Sequence, residues 1–138
     1  MMGAVRVTIR LKNAVDEELV RRGLLAPNLL RECEVKGLVD TGAVSLVIPL
    51  EMVDQLGVRI LGQRVAQYAN GNQENIGVTG AIMIECQGRT TIDEALVVGN
   101  EVLIGQVILE KLDLLVDCKN QILIPNPANP DYPVAMIK

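Results

Sequence analysis

Val5, Val7, Ile9 and Leu11 alternate with Arg6, Thr8, Arg10 and Lys12, the two-residue period of a strand with one face buried and the other in water. From Asp16 to Arg22 the pattern changes. Three acids precede two arginines, and Gly23 follows; acids first, bases last and a closing glycine complement a helix dipole, so a short helix is predicted. Pro27 marks a loop. Arg31 to Val39 reads as a strand running into the turn Asp40-Thr41-Gly42. Val44 to Pro49 is a short apolar run, and Glu51 to Leu56 predicts one or two helical turns before Gly57.

Further on, Val65 to Tyr68 and Ile76 to Val78 flank Asn70-Gly71, the dipeptide that most readily supplies two positive φ values, so a projecting hairpin with a tight turn is predicted. Ala81 to Cys86 and Thr90 to Val98 form a second hairpin around Gln87-Gly88-Arg89, and Gly99-Asn100-Glu101 turns the chain again. Val102 to Gly105 is an apolar strand ending in glycine. Val107 to Leu112 has the apolar spacing of a short helix, and Leu114 to Val116 pairs with Ile122 to Ile124 around Lys119-Asn120. Four prolines fall between Pro125 and Pro133, which makes residues 125–138 an extended, proline-rich tail. Many short strands with one or two short helices, and no repeat or linker, predict a single all-β domain spanning 1–138, a barrel or a sandwich.

Composition narrows the function. Of the 138 residues 49% are hydrophobic but only 1% aromatic, so the core is built from Val, Ile and Leu, which suit strands. A net charge of −4 and two tyrosines as the only aromatics leave little to neutralise phosphates or stack on bases, and no nucleic-acid partner is expected. Three widely spaced cysteines and no histidine call for neither a zinc site nor a disulfide framework, and no metal or cofactor is expected. The alternating N-terminus is not a signal peptide, and no apolar run reaches about 18 residues, so no membrane partner and a cytoplasmic location are expected. Without histidine, serine and cysteine hydrolases lose their usual base. Catalysis falls to carboxylates.

One constellation carries such chemistry: Leu38-Val39-Asp40-Thr41-Gly42-Ala43, an acid at the end of an apolar strand followed by a hydroxyl and a glycine. It resembles the active-site motif of the retropepsin-like aspartic proteases without a gap. Further matches follow in that family's order: Leu46-Val47-Ile48-Pro49, then Ala69-Asn70-Gly71 as the tip of a substrate-covering flap, then Leu103-Ile104-Gly105 and a short helix. The resemblance implies a retropepsin-like closed β-barrel with a flap hairpin, an aspartic endopeptidase, catalytic Asp40 supported by Thr41, Gly42 and Ala43, and a flap of Ala69, Asn70 and Gly71 that contacts substrate. Two departures stand out. Ala14 to Leu30 is longer than the matching connection in the compact viral enzymes, and Gln106 stands where they carry an arginine that ties the helix to the active-site loop.

Hydrolysis of a peptide by carboxylates needs one group to take a proton from water and another to give one to the carbonyl oxygen. Two carboxylates about 3 Å apart share a proton and titrate as a pair, which supplies both roles. Asp-Thr-Gly occurs once, so the second carboxylate comes from a second copy and a homodimer is expected, with an extended polypeptide as substrate. Ala43 brings no hydroxyl to the pair, which predicts a less acidic optimum than serine would give. Two other readings remain: a non-catalytic peptide-binding or dimerisation module on the same fold, and a strand-rich protein in which Asp40-Thr41-Gly42 is an ordinary turn. Asp117 also follows an apolar strand, but Cys118-Lys119 replaces Thr-Gly, so no second motif is assigned.

Overall fold

A computed structural model describes residues 4–137. The chain is mostly β, with three short helices among these residues. Strand β1 (Arg6–Asn13) alternates exposed and buried positions as its sequence dictates and pairs antiparallel with β2 (Glu32–Val39) from Arg6 opposite Leu38 to Lys12 opposite Glu32. Between them lies the insertion, with helix α1 (Ala14–Arg21) and a 3-10 turn at Pro27–Leu29. Asn13 caps α1 by accepting from the N–H of Asp16, while its amide donates to the carbonyl of Leu56.

Asp16 is buried, and Arg31 answers it with two guanidinium contacts at 2.8 and 2.9 Å and its own backbone N–H at 3.0 Å. These hydrogen bonds hold the Asp16 carboxyl below its ordinary range. The Arg31 guanidinium also occupies the space that a side chain at Gly57 would need, 2.0 Å from an ideal Cβ there. The insertion is thus fastened to the end of helix α2 (Leu50–Leu56), whose closing residue is Gly57 at φ +62.

Strands β3 (Leu46–Ile48), β4 (Ile60–Gln67), β5 (Gln73–Thr79), β6 (Ile82–Cys86), β7 (Arg89–Asp93), β8 (Ala95–Val97) and β9 (Leu103–Ile104) complete a nine-stranded sheet in the order β4-β5-β8-β3-β9-β2-β1-β6-β7. Helix α3 (Gln106–Leu112) follows β9, and β10 (Leu114–Asp117) pairs with β11 (Ile122–Pro125) apart from the main sheet. The hydrogen-bonded order has two ends. At one, β4 runs out into the projecting hairpin; at the other α3 lies against β7, and Lys111 donates to the carbonyl of Ile92 on its edge. The core is aliphatic, with Ile9, Leu11, Leu46, Ile48, Ile84, Ile104 and Ile108 almost wholly enclosed.

Three expectations change in detail. Thr90 to Val98 is two strands, because the chain bends at Glu94 to leave β6 and join β3 and β5. The two-residue turn with positive φ at both positions falls at Gln87-Gly88, φ 53 and 75, where Cys86 faces Arg89. The β4–β5 hairpin instead has a three-residue loop, Ala69-Asn70-Gly71. In it Gly71 donates to the carbonyl of Tyr68 and alone takes a positive φ, while Asn70 accepts from the N–H of Asn72. Asn70 satisfies the loop through its side chain and needs no left-handed backbone.

Candidate active site

β2 carries Asp40 at its end, and the neighbouring strand extends the ladder one step past it: the N–H of Asp40 donates to the carbonyl of Ile104 at 3.0 Å. β9 is wedged between the two strands that flank the Asp40 loop. It is parallel to β2, with Leu38 opposite Leu103 and Val39 opposite Ile104, and antiparallel to β3, with Leu46 opposite Ile104 and Val47 opposite Leu103. The loop is closed by Ala43, which donates to the carbonyl of Asp40 at 3.0 Å, and by Gly42, whose N–H reaches Asp40 Oδ1 at 2.9 Å. Gly42 permits this approach, since a Cβ there would stand 3.2 Å from the same oxygen.

Asp40 and Ala43 are half-buried, while Thr41 and Gly42 are exposed. Among the described residues Asp40 forms no ion pair and the Thr41 hydroxyl has no hydrogen-bond partner. The backbone holds one face of the carboxylate and leaves the rest open. From the other side, the N–H groups of Gln106 and Val107 donate to the carbonyls of Ala43 and Val44 at 2.8 and 3.0 Å. The side chain of Gln106 turns away to Glu110, so it is the backbone of this helix start that contacts the Asp40 loop.

An aliphatic row leads to this loop. Val78 on β5 faces Leu96 on β8, Leu96 faces Val47 on β3, Val47 faces Leu103 on β9, and Leu103 faces Leu38 on β2. Residues directly opposite each other share a sheet face, so these five lie on one side. The core residues Leu46, Ile48, Ala95 and Ile104 occupy the other. Strand alternation assigns Asp40 to the same side as Leu38. Val47 and Val78 are buried, whereas Leu38, Leu96 and Leu103 are only half-covered. No single segment reveals this row; it exists only once the register is known.

Ala69, Asn70 and Gly71, expected from the sequence to form a flap, are exposed at the tip of the β4–β5 hairpin. Below the tip Tyr68 donates a short hydrogen bond to Glu74 across the stem, which pushes the phenol above its ordinary range. Tip and Asp40 loop share no hydrogen bond among the described residues. What joins them is the row, since Val78 belongs to β5 of this hairpin.

Arg89 is legible in the sequence only as part of the Gln87-Gly88-Arg89 turn. It is buried, and its guanidinium donates to the carbonyls of Leu112 and Asp113 at the end of α3 and to that of Asn129 in the tail. Asp113 in turn accepts from the amides of Asn126 and Asn129 and from the N–H of Val134. The proline-rich tail is therefore strapped to the C-terminal end of the helix whose other end braces the Asp40 loop.

Comparison with protein-family models gives no match, and no curated protein matches either. Among solved structures, the chain is similar to the solution structure of the simian foamy virus (mac) protease. The two are 14% identical with a TM-score of 0.47, and the match covers 75% of this chain and 90% of that one. No helix among the described residues is long and apolar enough to cross a membrane.

Proposed function

We propose that this protein is an aspartic-type endopeptidase of the retropepsin-like kind, active in the cytoplasm as a homodimer. The observation that carries the reading is the Asp40 loop: a half-buried carboxylate held at the end of β2 by the Gly42 N–H, braced from behind by β9 and the start of α3, and assigned by strand alternation to the side of the aliphatic row. Asp40 and the same residue of a second copy share one proton. The ionised member takes a proton from water as the water oxygen bonds to the scissile carbon, and the protonated member gives one to the carbonyl oxygen. On collapse one carboxyl passes a proton to the amide nitrogen, the C–N bond breaks, and the other carboxylate takes a hydroxyl proton, which restores the singly protonated pair. Thr41, with its hydroxyl unused within the protomer, hydrogen-bonds across the two-fold axis, and Ala69-Asn70-Gly71 closes over an extended substrate.

The test is turnover of denatured protein or a quenched fluorogenic peptide. Expected are cleavage blocked by statine-type inhibitors, loss of turnover by about 10²–10⁴-fold in Asp40→Asn, and specific activity that falls on dilution as dimers dissociate. Peptide binding without turnover, equal in the native and Asp40→Asn proteins, overturns the enzyme reading and leaves the peptide-binding module.

A further inference from the structure

β2 has two edges, and only one is fully used. The N–H of Val39 donates to Val5 and that of Asn13 to the carbonyl of Arg31, so the odd residues of β2 point their backbone groups at β1. The even residues point the other way. Leu38 and Asp40 do so with partners, donating to Val102 and Ile104. Glu34 and Lys36 face the same direction, but β9 meets β2 only at Leu38 and Val39. Among the described residues the backbone N–H and C=O of Glu34 and Lys36 therefore have no ladder partner.

Beside this free edge lies a groove of about 450 Å³ lined by Val35, Lys36, Pro49, Met52, Glu101 and Val102, with both polar and aliphatic walls. Its origin is local. Ile104 and Val102 cross β2 over Gly37, where an ideal Cβ would stand 2.8 Å from Ile104 Cδ1. Past that crossing the chain leaves β2 through the Gly99–Glu101 turn, and the line that β9 would have continued stays empty. Pro49, across the groove, has no N–H to offer.

We propose that this groove is a second, non-catalytic peptide site in which an extended segment of a partner polypeptide adds to the edge of β2 in line with β9. Two consecutive free donor–acceptor positions, Glu34 and Lys36, are what an added strand pairs with, since alternate residues of a strand supply both groups to one side. The aliphatic side chains of Val35, Met52 and Val102 suit a small apolar residue of the guest. Lys36, without an ion pair among the described residues, can meet one acidic guest residue, and Glu51 and Glu101, which also line the groove, disfavour a second. The site lies on β2 away from the Asp40 loop and does not depend on the peptidase reading.

The test uses the ¹⁵N-labelled Asp40→Asn protein, so that no probe is cleaved, titrated with acetyl-Val-Glu-Val-Thr-Val-amide. Expected are shifts and slowed hydrogen exchange at the amides of Glu34 and Lys36, and about tenfold weaker binding of the same peptide methylated on alternate backbone nitrogens. Lys36→Pro removes the outward N–H without taking a bond from β1, and it abolishes the response. No response at Glu34 and Lys36, a response confined to residues 40–43 and 69–71, or equal binding of the methylated peptide overturns the proposal. The methylated probe decides the question even where the proline variant does not fold.

Discussion

The backbone N–H of Gln106 donates to the carbonyl of Ala43 at 2.8 Å, and this bond requires α3 to start directly against the Asp40 loop. Gly105 makes the approach possible, since an ideal Cβ there would lie 2.3 Å from the carbonyl oxygen of Ser45 and 2.6 Å from that of Val44. Those are backbone atoms with nowhere to go. Gly105→Ala is expected to destabilise the fold by about 1–3 kcal/mol and to lower turnover further by displacing the loop. Gln106→Ala, which removes only an exposed contact with Glu110, is expected to change stability by less than about 0.5 kcal/mol. Urea denaturation of both variants, with turnover measured at matched folded fraction, checks the contrast.

Arg89 is the second brace, acting on the other end of the same helix. Removing a buried guanidinium bound to three carbonyls takes this partner from Leu112 and Asn129, while the carbonyl of Asp113 keeps the N–H of Asn126, and each carbonyl left unpaired costs about 1–3 kcal/mol. Arg89→Met keeps the length and apolar bulk of the stem, so the expected destabilisation of about 2–4 kcal/mol comes from the hydrogen bonds. A midpoint unchanged in denaturant would show that solvent replaces them freely.

The contrast between these two braces explains what the sequence could show. Asp40-Thr41-Gly42 and Leu103-Ile104-Gly105 are legible because their physics is local: an apolar strand, then a residue whose small size is required where it stands. The β1 alternation, the hairpins and the short helices follow from period and turn chemistry in the same way. Arg89 and the row from Val78 to Leu38 were hidden because each depends on register across strands far apart in the chain. The Asn70-Gly71 turn departs from its sequence pattern for a different reason. Asn can either enter the left-handed region or fold its side chain onto the next amides, and the loop length decides which.

Asp113 gives the tail a pH dependence. Its carboxyl is held below the ordinary range by the amide of Asn126, then that of Asn129, then the N–H of Val134. A depressed folded value means that this contribution is complete above about pH 4, the unfolded value, and is lost as pH falls through the folded one. Residues 126–134 are expected to detach in acid before the sheet unfolds, seen as faster amide exchange of Val134 near pH 3 than near pH 6 after correction for intrinsic rates. Asp113→Asn keeps the left-handed backbone at φ 53, which Asn tolerates. It is expected to free the tail at every pH, so exchange at Val134 loses its acid step.

The three thiols are expected to differ in reactivity. Burial pushes Cys86 up to about 11 and raises Cys33 as well, while Cys118 is exposed in the β10–β11 turn. Only the thiolate attacks a disulfide reagent, and access limits it further. With Ellman's reagent at pH 8 the native protein is expected to release one equivalent quickly, and the denatured protein three. Fast release of more than one from the native protein would mean that β2 or β6 opens readily.

If the row from Val78 to Leu38 forms the floor beneath a bound peptide, then Leu103 touches the substrate side chain beside the scissile bond. Leu103 is half-covered, so truncating it costs the protein less than a fully buried leucine, while the lost contact with a large aliphatic substrate residue amounts to about 1–2 kcal/mol. Leu103→Ala is expected to lower kcat/KM about tenfold for peptides with leucine at that position, and to change it little for peptides with alanine there. Val47 makes a sharper comparison, because it is buried on the same face and its truncation to alanine removes fold stability before it removes substrate contact. A loss in Leu103→Ala that is the same for both peptides would place the row outside the cleft and make it part of the packing alone.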